Sequence, residues 1–375
     1  MTSGADRTVR GAAGADADAA TGVECVADIE RAAAAVLPPD VRDFVAGGSG
    51  DELTLTANRA AFDRTFLVPR VLRDVSRCTT DATLLGRPAA LPLAVAPVAY
   101  HRLVSEDGEL ATARAAKAAG VPFAVSTLSS VPIEEITAVG GSVWFQLYWL
   151  RDGARTLELA RRAEDAGCAA LMLTVDVPWM GRRLRDIRNR FTLPAGVRAA
   201  NIAAGGTAHI RPAGASAVAA HTSEAFSPAL TWATVDRLRE RTRLPLVLKG
   251  VLAREDALRA AESGVDALVV SNHGGRQLDG AVPSLDALAE LAPVLDGRCE
   301  LLLDGGVRSG TDILRALALG AAGVLVGRPV MWGLAAAGEA GVRRVFELLA
   351  AELRTSLGLA GCADVTEARS LRTVR

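Results

Sequence analysis

A (β/α)8 TIM barrel with an N-terminal helical extension and a long loop after strand 4 is the fold class this sequence predicts. Three observations lead there. From Leu91 onward, eight short apolar runs alternate with amphipathic stretches that open near Gly, Ser or Asp and close at Gly. That is the strand–helix rhythm of a parallel α/β protein. Eight units in series favour closure, because a closed sheet leaves no edge to protect. Finally, no unit at the start carries a Gly-x-Gly-x-x-Gly turn, which disfavours an open dinucleotide-binding sheet.

Taken in order, residues 1–22 mix Ala, Gly, Asp and Arg without an apolar run, so they are expected to form a flexible extension and not a signal peptide. Residues 23–375 are expected to form one catalytic domain. Within it, residues 26–66 have helical character and are expected to cap one end of the barrel. Strands are predicted at 91–98, 122–126, 142–149, 170–177, 244–250, 267–272, 300–304 and 323–327. Their helices are predicted at 108–119, 133–139, 154–166, 231–242, 254–263, 285–295, 311–319 and 341–357. Residues 178–230 form a Gly/Ala/Pro-rich connection far longer than an ordinary βα loop, and such connections are usually lids or disordered segments.

A length of 375 residues suits one barrel with an extension. The formal net charge of -1 gives no basic field for nucleic acid or an anionic membrane. Apolar runs stay well short of the roughly 20 residues that a membrane span needs. Cys25, Cys78, Cys168, Cys299 and Cys362 are scattered, without a CxxC pair. This usage fits a reducing compartment, with neither disulfides nor a metal centre, and the expected location is cytoplasmic.

All strand C-termini of a barrel share one face, so polar residues at those ends converge. Strand three ends in Gln146 and Tyr148, four in Thr174 and Asp176, and five in Lys249. Strand six leads into Ser271, Asn272, His273 and Arg276, seven into Asp304 and Arg308, and eight into Gly327 and Arg328. Only Lys117 and Lys249 are lysines among 42 Lys and Arg residues. Lys249 closes the apolar run PLVLKG, where a compact ammonium reaches an electron-rich atom that a planar guanidinium cannot approach. A snorkelling surface lysine is the plainer alternative. Tyr100 and Tyr148, the only tyrosines, both fall at strand ends; for Tyr100 a packing role is equally open.

His273 lies in SNHGGRQ, with glycines that let backbone approach a ligand and Arg276 three residues on. A lone histidine is more often structural than catalytic. The strand-end position, the neighbouring cation and the carboxylate of Asp176 favour a general base here. In LLLDGGVRSGTDILRALALGAAGVLVGRPV, two Gly-rich turns are each followed by Arg. Backbone N–H donors from Gly305, Gly306 and Gly327, with Arg308 and Arg328, suit a phosphate dianion better than a purely structural turn.

These segments resemble the FMN-dependent 2-hydroxy acid oxidase and dehydrogenase family over nearly all of residues 26–371. APVA, FQLYW, LTVDVPWMGRRLRD, VLKG, SNHGGRQLDG and DGGVRSGTDILRALALGA occur in family order. FVAGGSG, APVAYHRL and TLSSV are most similar to members acting on 4-hydroxymandelate. The resemblance implies FMN as cofactor. Pro97, Val98, Ala99, Ser126, Gln146, Thr174, Lys249 and Ser271 would surround its ring and ribityl parts. Asp304, Gly306, Arg308, Gly327 and Arg328 would hold the ribityl tail and phosphate. Tyr148, Arg183 and Arg276 would bind the substrate carboxylate and hydroxyl, His273 would take the proton, and Asp176 would orient His273. Hydride and carbanion routes use the same base, and the sequence leaves the choice open.

Two departures bear on the substrate. Phe44 stands where glycolate and lactate oxidases carry a tyrosine, and Leu128 where glycolate oxidases carry tryptophan. Both changes remove polarity and the second makes room, which suits an aryl substituent; Tyr100 would then meet the ring or its para-hydroxyl. Ala99 falls where the family's oxidases tend to have alanine and several dehydrogenases glycine. The expectation is therefore oxidation of (S)-mandelate or (S)-4-hydroxymandelate to the keto acid, with oxygen as acceptor giving hydrogen peroxide. A dehydrogenase using another acceptor and a non-redox FMN isomerase are the alternatives. By the same resemblance the chain would be a homo-oligomer, a tetramer, with no nucleic-acid or membrane partner.

Overall fold

Short runs of Val, Leu and Ala become strands here because they are buried on both faces, as parallel barrel strands are. The computed structural model describes residues 22–202 and 217–375; the proposed extension at 1–22 lies outside these residues except for Gly22. The chain opens with helices α1 (Val26–Val36), α2 (Pro39–Ala46) and α3 (Leu53–Asp63), then short strands β1 (Phe66–Leu67), β2 (Ala82–Leu84) and β3 (Arg87–Ala89). Eight parallel strands follow: β4 (Leu93–Val95), β5 (Phe123–Ser126), β6 (Val143–Leu147), β7 (Ala170–Thr174), β8 (Leu246–Val251), β9 (Ala267–Val270), β10 (Glu300–Leu303) and β11 (Gly323–Val326). They close into one barrel, with β11 pairing back onto β4.

The surrounding helices are α4 (Glu109–Ala118), α5 (Ile133–Ala138), α6 (Gly153–Asp165), α9 (Trp232–Arg239), α10 (Arg254–Glu262), α11 (Ser284–Leu295), α12 (Gly310–Ala318) and α13 (Arg328–Ala360). The connection after β7 contains α7 (Leu184–Arg188) and α8 (Ala217–Ala225). The chain ends with α14 (Val365–Ala368) and β12 (Thr373–Val374), which pairs with β1. One prediction needs correction. The last helix begins directly after β11 at Arg328, not at residue 341, and is broken by non-helical backbone at Ala337 and Gly338. Gly and Pro in this stretch masked the helical first half in the sequence.

Inside the barrel, Ala94, Ala124, Trp144, Met172, Val247, Val269, Leu302 and Leu325 pack in one cluster with Leu84 of β2 and Ala89 of β3. The β2–β3 hairpin thereby plugs the N-terminal end, and Leu85 N–H donates to the Glu300 carboxylate there. Side chains alternate along a strand. Two residues beyond the apolar layer, the same inward face therefore carries Ser126, Gln146, Thr174, Lys249, Ser271, Asp304 and Gly327 at the C-terminal end. All five cysteines carry free thiols. Among the described residues no helix is long and apolar enough to cross a membrane, and no His, Cys, Asp or Glu cluster could hold a metal ion.

Candidate active site

The loop after β9 sets the site. Its segment Asn272–Gln277 is tied to the N-terminal helices and to the loop after β7. The buried side-chain amides of Asn272 and Asn58 of α3 exchange two hydrogen bonds of 2.8 Å each. Gln277 donates to the backbone oxygens of Asp176 and Trp179, both at 2.8 Å. Asp279 accepts from the N–H groups of Asp51 and Thr54 at the start of α3. Gly275 has φ +76°, and a Cβ there would lie 2.6 Å from the Leu55 nitrogen. The predicted cap thus lies over the C-terminal end of the barrel, where α2 and α3 contact the site loops.

His273, held at φ 58° in the left-handed region that non-glycine residues seldom adopt, has its N–H fixed by the Ser271 hydroxyl at 3.0 Å. Its Nδ1 lies 2.9 Å from Asp176 Oδ1. Room for that carboxylate comes from a bulge at Gly250, φ +108°, where a Cβ would fall 2.5 Å from Asp176 Cγ. Burial lowers the His273 pKa, with Lys249 and Arg183 adding to the effect and Asp176 opposing it. For Asp176, burial would raise the pKa, but the attraction and hydrogen bond of His273 and the charge of Lys249 hold it below the ordinary value. At neutral pH the pair is therefore imidazole and carboxylate. An ionised carboxylate only accepts, so Nδ1 carries the proton and Nε2 keeps a lone pair.

A cleft of about 1120 Å3 of empty space, open mouth included, runs over this end of the barrel. One part is lined by Phe44, Leu128, Tyr148, Met180, Arg183, Phe226, His273 and Arg276. Arg276 donates to the carbonyls of Phe44 and Gly47 at 2.9 and 2.8 Å and lies over the Phe44 ring; that ring stacks on Phe191 at 4.5 Å. Arg183 reaches Met180 Sδ at 3.5 Å, and its Nε has no partner. Burial, then the charges of Arg183 and Arg328, push the Arg276 pKa well down. Burial also raises that of Tyr148, so its phenol remains a proton donor. Such crowded, half-buried guanidiniums call for an anion.

The other part is lined by residues 96–99, Ser126, Lys249, Asp304, Gly305, Gly306, Arg308, Gly327 and Arg328. Lys249 is 2.8 Å from Asp304 Oδ2 and 3.0 Å from Ser271 Oγ, which leaves one of its three N–H donors. Burial would lower the Lys249 pKa, but Asp304 and Asp176 raise it, so it stays charged. Gln146 Nε2 donates to Thr174 Oγ1 at 2.9 Å, freeing the threonine hydroxyl hydrogen. Asp304 Oδ1 is buried without a partner. Burial and neighbouring Arg328 bring the Arg308 pKa down to about 9, and burial with Arg183 brings Arg328 down to about 10. Arg328 also donates to the carbonyls of Val45, Ala46, Gly47 and Gly274. This donor set fits FMN: a spare ammonium N–H, hydroxyls and a carboxylate oxygen for ring and ribityl, and two cations beside Gly-rich turns for phosphate.

The structure brings the sequence-predicted residues to one face of the barrel, with Gln146, Thr174, Asp176 and Ser271 supporting the side chains that line the cleft. Tyr100 is the correction. It is fully buried, its hydroxyl has no partner, and it does not line the cleft. Its N–H bonds Leu128 O at 3.2 Å, and its side chain belongs to the buried core. Sequence reasoning missed Asn58, Gln277, Gly250, Met180 and Phe226. The first two were visible only as polar residues in otherwise apolar or Gly-rich surroundings.

Comparison with known proteins identifies the family. The chain is 62% identical to 4-hydroxymandelate oxidase of Amycolatopsis orientalis over 348 residues, covering 93% of this chain and 97% of that one. It is 49% identical to L-lactate oxidase of Nostoc sp., covering 87% and 91%. The crystal structure of mandelate oxidase with (S)-4-hydroxymandelic acid superposes with a TM-score of 0.92 at 61% identity, covering 94% of this chain and 99% of that one. With the family profile matching residues 33–374 and these relatives spanning nearly the whole length, the chain belongs to the FMN-dependent dehydrogenase family.

Proposed function

We propose that this enzyme oxidises an aryl (S)-2-hydroxy acid, (S)-mandelate or (S)-4-hydroxymandelate, to the 2-keto acid, with oxygen as acceptor giving hydrogen peroxide. One observation carries the reading: the His273–Asp176 pair at 2.9 Å opens onto a cleft lined by half-buried Arg183 and Arg276, which have no ion-pair partner among the described residues. A carboxylate held by Arg183, Arg276 and Tyr148 leaves its 2-hydroxyl for Nε2 of His273, which takes the proton. Asp176 then stabilises the imidazolium. The chemistry FMN would supply when bound is uptake of the two electrons and the C2 hydrogen of the substrate. Pro97, Val98, Ala99, Ser126, Gln146, Thr174, Lys249 and Ser271 hold its ring and upper ribityl chain, and Asp304, Gly306, Arg308, Gly327 and Arg328 its tail and phosphate.

The aryl preference rests on the apolar lining of Phe44, Leu128, Val177, Met180, Val218 and Phe226, and the relatives that act on mandelates support it. Ala99 on the cleft wall, at the position where the family's oxidases tend to have alanine and several dehydrogenases glycine, supports oxygen as acceptor, and the same reading carries a homo-oligomer in the cytoplasm. An oxygen-electrode screen of mandelate, 4-hydroxymandelate, lactate and glycolate, with peroxide assayed in parallel, tests it. Oxygen uptake greatest with a mandelate is expected. Turnover with an artificial acceptor but none with oxygen would replace the oxidase reading by a dehydrogenase.

A further inference from the structure

The lid after β7 is anchored where it meets the site. Phe226 forms an antiparallel bridge with Leu150, flanked by Arg151 N–H to Ala225 O at 2.9 Å and Ser227 N–H to Trp149 O at 2.8 Å. Arg151 also donates to Ser223 O at 2.9 Å. These bonds fasten the end of α8 to the continuation of β6, the strand that carries Tyr148. The Phe226 ring stacks on the Tyr148 ring, centroids 4.2 Å apart and planes 21° apart. Phe226 is 4% exposed, yet it lines the cleft together with Thr222 and Val218, one and two helical turns earlier. An apolar ring fixed by backbone bonds directly after α8 is placed for contact with what enters the cleft.

We infer that Phe226 is a specificity-determining residue whose ring forms the lid-side wall of the subsite for the substrate's aryl group. The inference rests on the aryl 2-hydroxy acid reading above and assigns one wall of that pocket to α8 and its C-terminal neighbour. Small substrates such as lactate occupy only the polar end at His273, Arg183 and Arg276 and do not reach this wall. Aromatic pairs are worth enough that replacing the ring by an aliphatic side chain costs an aryl ligand about three- to tenfold.

The test uses FMN-loaded Phe226→Leu, with Phe226→Met as a second variant should the first fold poorly and Phe226→Tyr as the aromatic control. Anaerobic flavin reduction gives the apparent second-order rate constant for (S)-mandelate and for (S)-lactate. The expected result is a mandelate-to-lactate ratio lowered about three- to tenfold in the Leu and Met variants and restored by Tyr. An unchanged ratio, with both substrates slowed alike or neither slowed, overturns the inference while leaving the proposed function intact. A wild-type enzyme that fails to react with mandelate overturns the proposed function itself, and this inference with it.

Discussion

The two ends of the barrel are built from the same eight strands and the same inward-facing alternation, yet they obey opposite rules. At the N-terminal end, Leu84, Trp144, Val247 and Leu302 fill the interior, with relative exposures of 0–1%. Carboxylates at this end are met: Glu300 accepts from Leu85 N–H and Asp266 from Leu246 N–H. At the C-terminal end, two residues further along each strand, the interior turns polar, and Asp304 Oδ1, Asp176 Oδ2 and Arg183 Nε are buried without partners. Unmet hydrogen-bonding capacity is costly in a protein interior. Where such atoms border the cleft they mark the part of the molecule completed by cofactor and substrate, while the apolar end supplies the stability that permits it.

The sharpest way to separate the ends is His273→Ala. It is expected to slow flavin reduction by substrate about 100- to 10,000-fold, while FMN content and melting temperature stay near wild type. Stopped-flow reduction at a near-normal rate would mean that the proton goes elsewhere. Leu84→Ala probes the opposite end. It leaves a cavity in the plug and is expected to cost about 2–5 kcal/mol of stability, read from urea unfolding of the FMN-loaded protein, with kcat/KM unchanged. Loss of activity in the folded variant would show that the ends are not independent. Smaller still is Leu128→Trp, which refills the space beside Tyr148. A phenyl ring burying roughly 100 Å2 more than a methyl gains about 2.5 kcal/mol, nearly two powers of ten. The variant is expected to lose up to that factor in kcat/KM for mandelate while glycolate changes little. Equal losses for both would remove Leu128 from the aryl pocket.

The same contrast explains what could be read from the sequence. Lys249, Gln146, Thr174 and Asp304 were legible because each is a polar residue interrupting or ending an apolar strand, and period-two alternation then fixes its face. The plug was not: β2 and β3 are three residues each, too short to show alternation. Asn58 and Asn272 pair across more than two hundred residues, and a single sequence carries no signal for such a pairing. Phe226 was hidden in a connection whose Gly/Ala-rich composition shows no periodicity. For Tyr100, a strand-end position suggested a site residue, but its backbone is left-handed, φ 60°, and its side chain is fully buried and does not line the cleft.

The central claim is that the polar end removes a proton from a 2-hydroxy acid through neutral His273. It is tested most directly by the pH dependence of anaerobic flavin reduction by saturating (S)-mandelate. Because burial, Lys249 and Arg183 lower the His273 pKa against the pull of Asp176, the base is unprotonated at neutral pH. The rate is expected to hold through neutrality. It should fall about tenfold per pH unit only below the ordinary histidine value of about 6.5, an acid limb that His273→Ala abolishes along with the fast rate. A flavin that stays oxidised with mandelate at every pH, or an acid limb that persists unchanged in His273→Ala, would contradict the account.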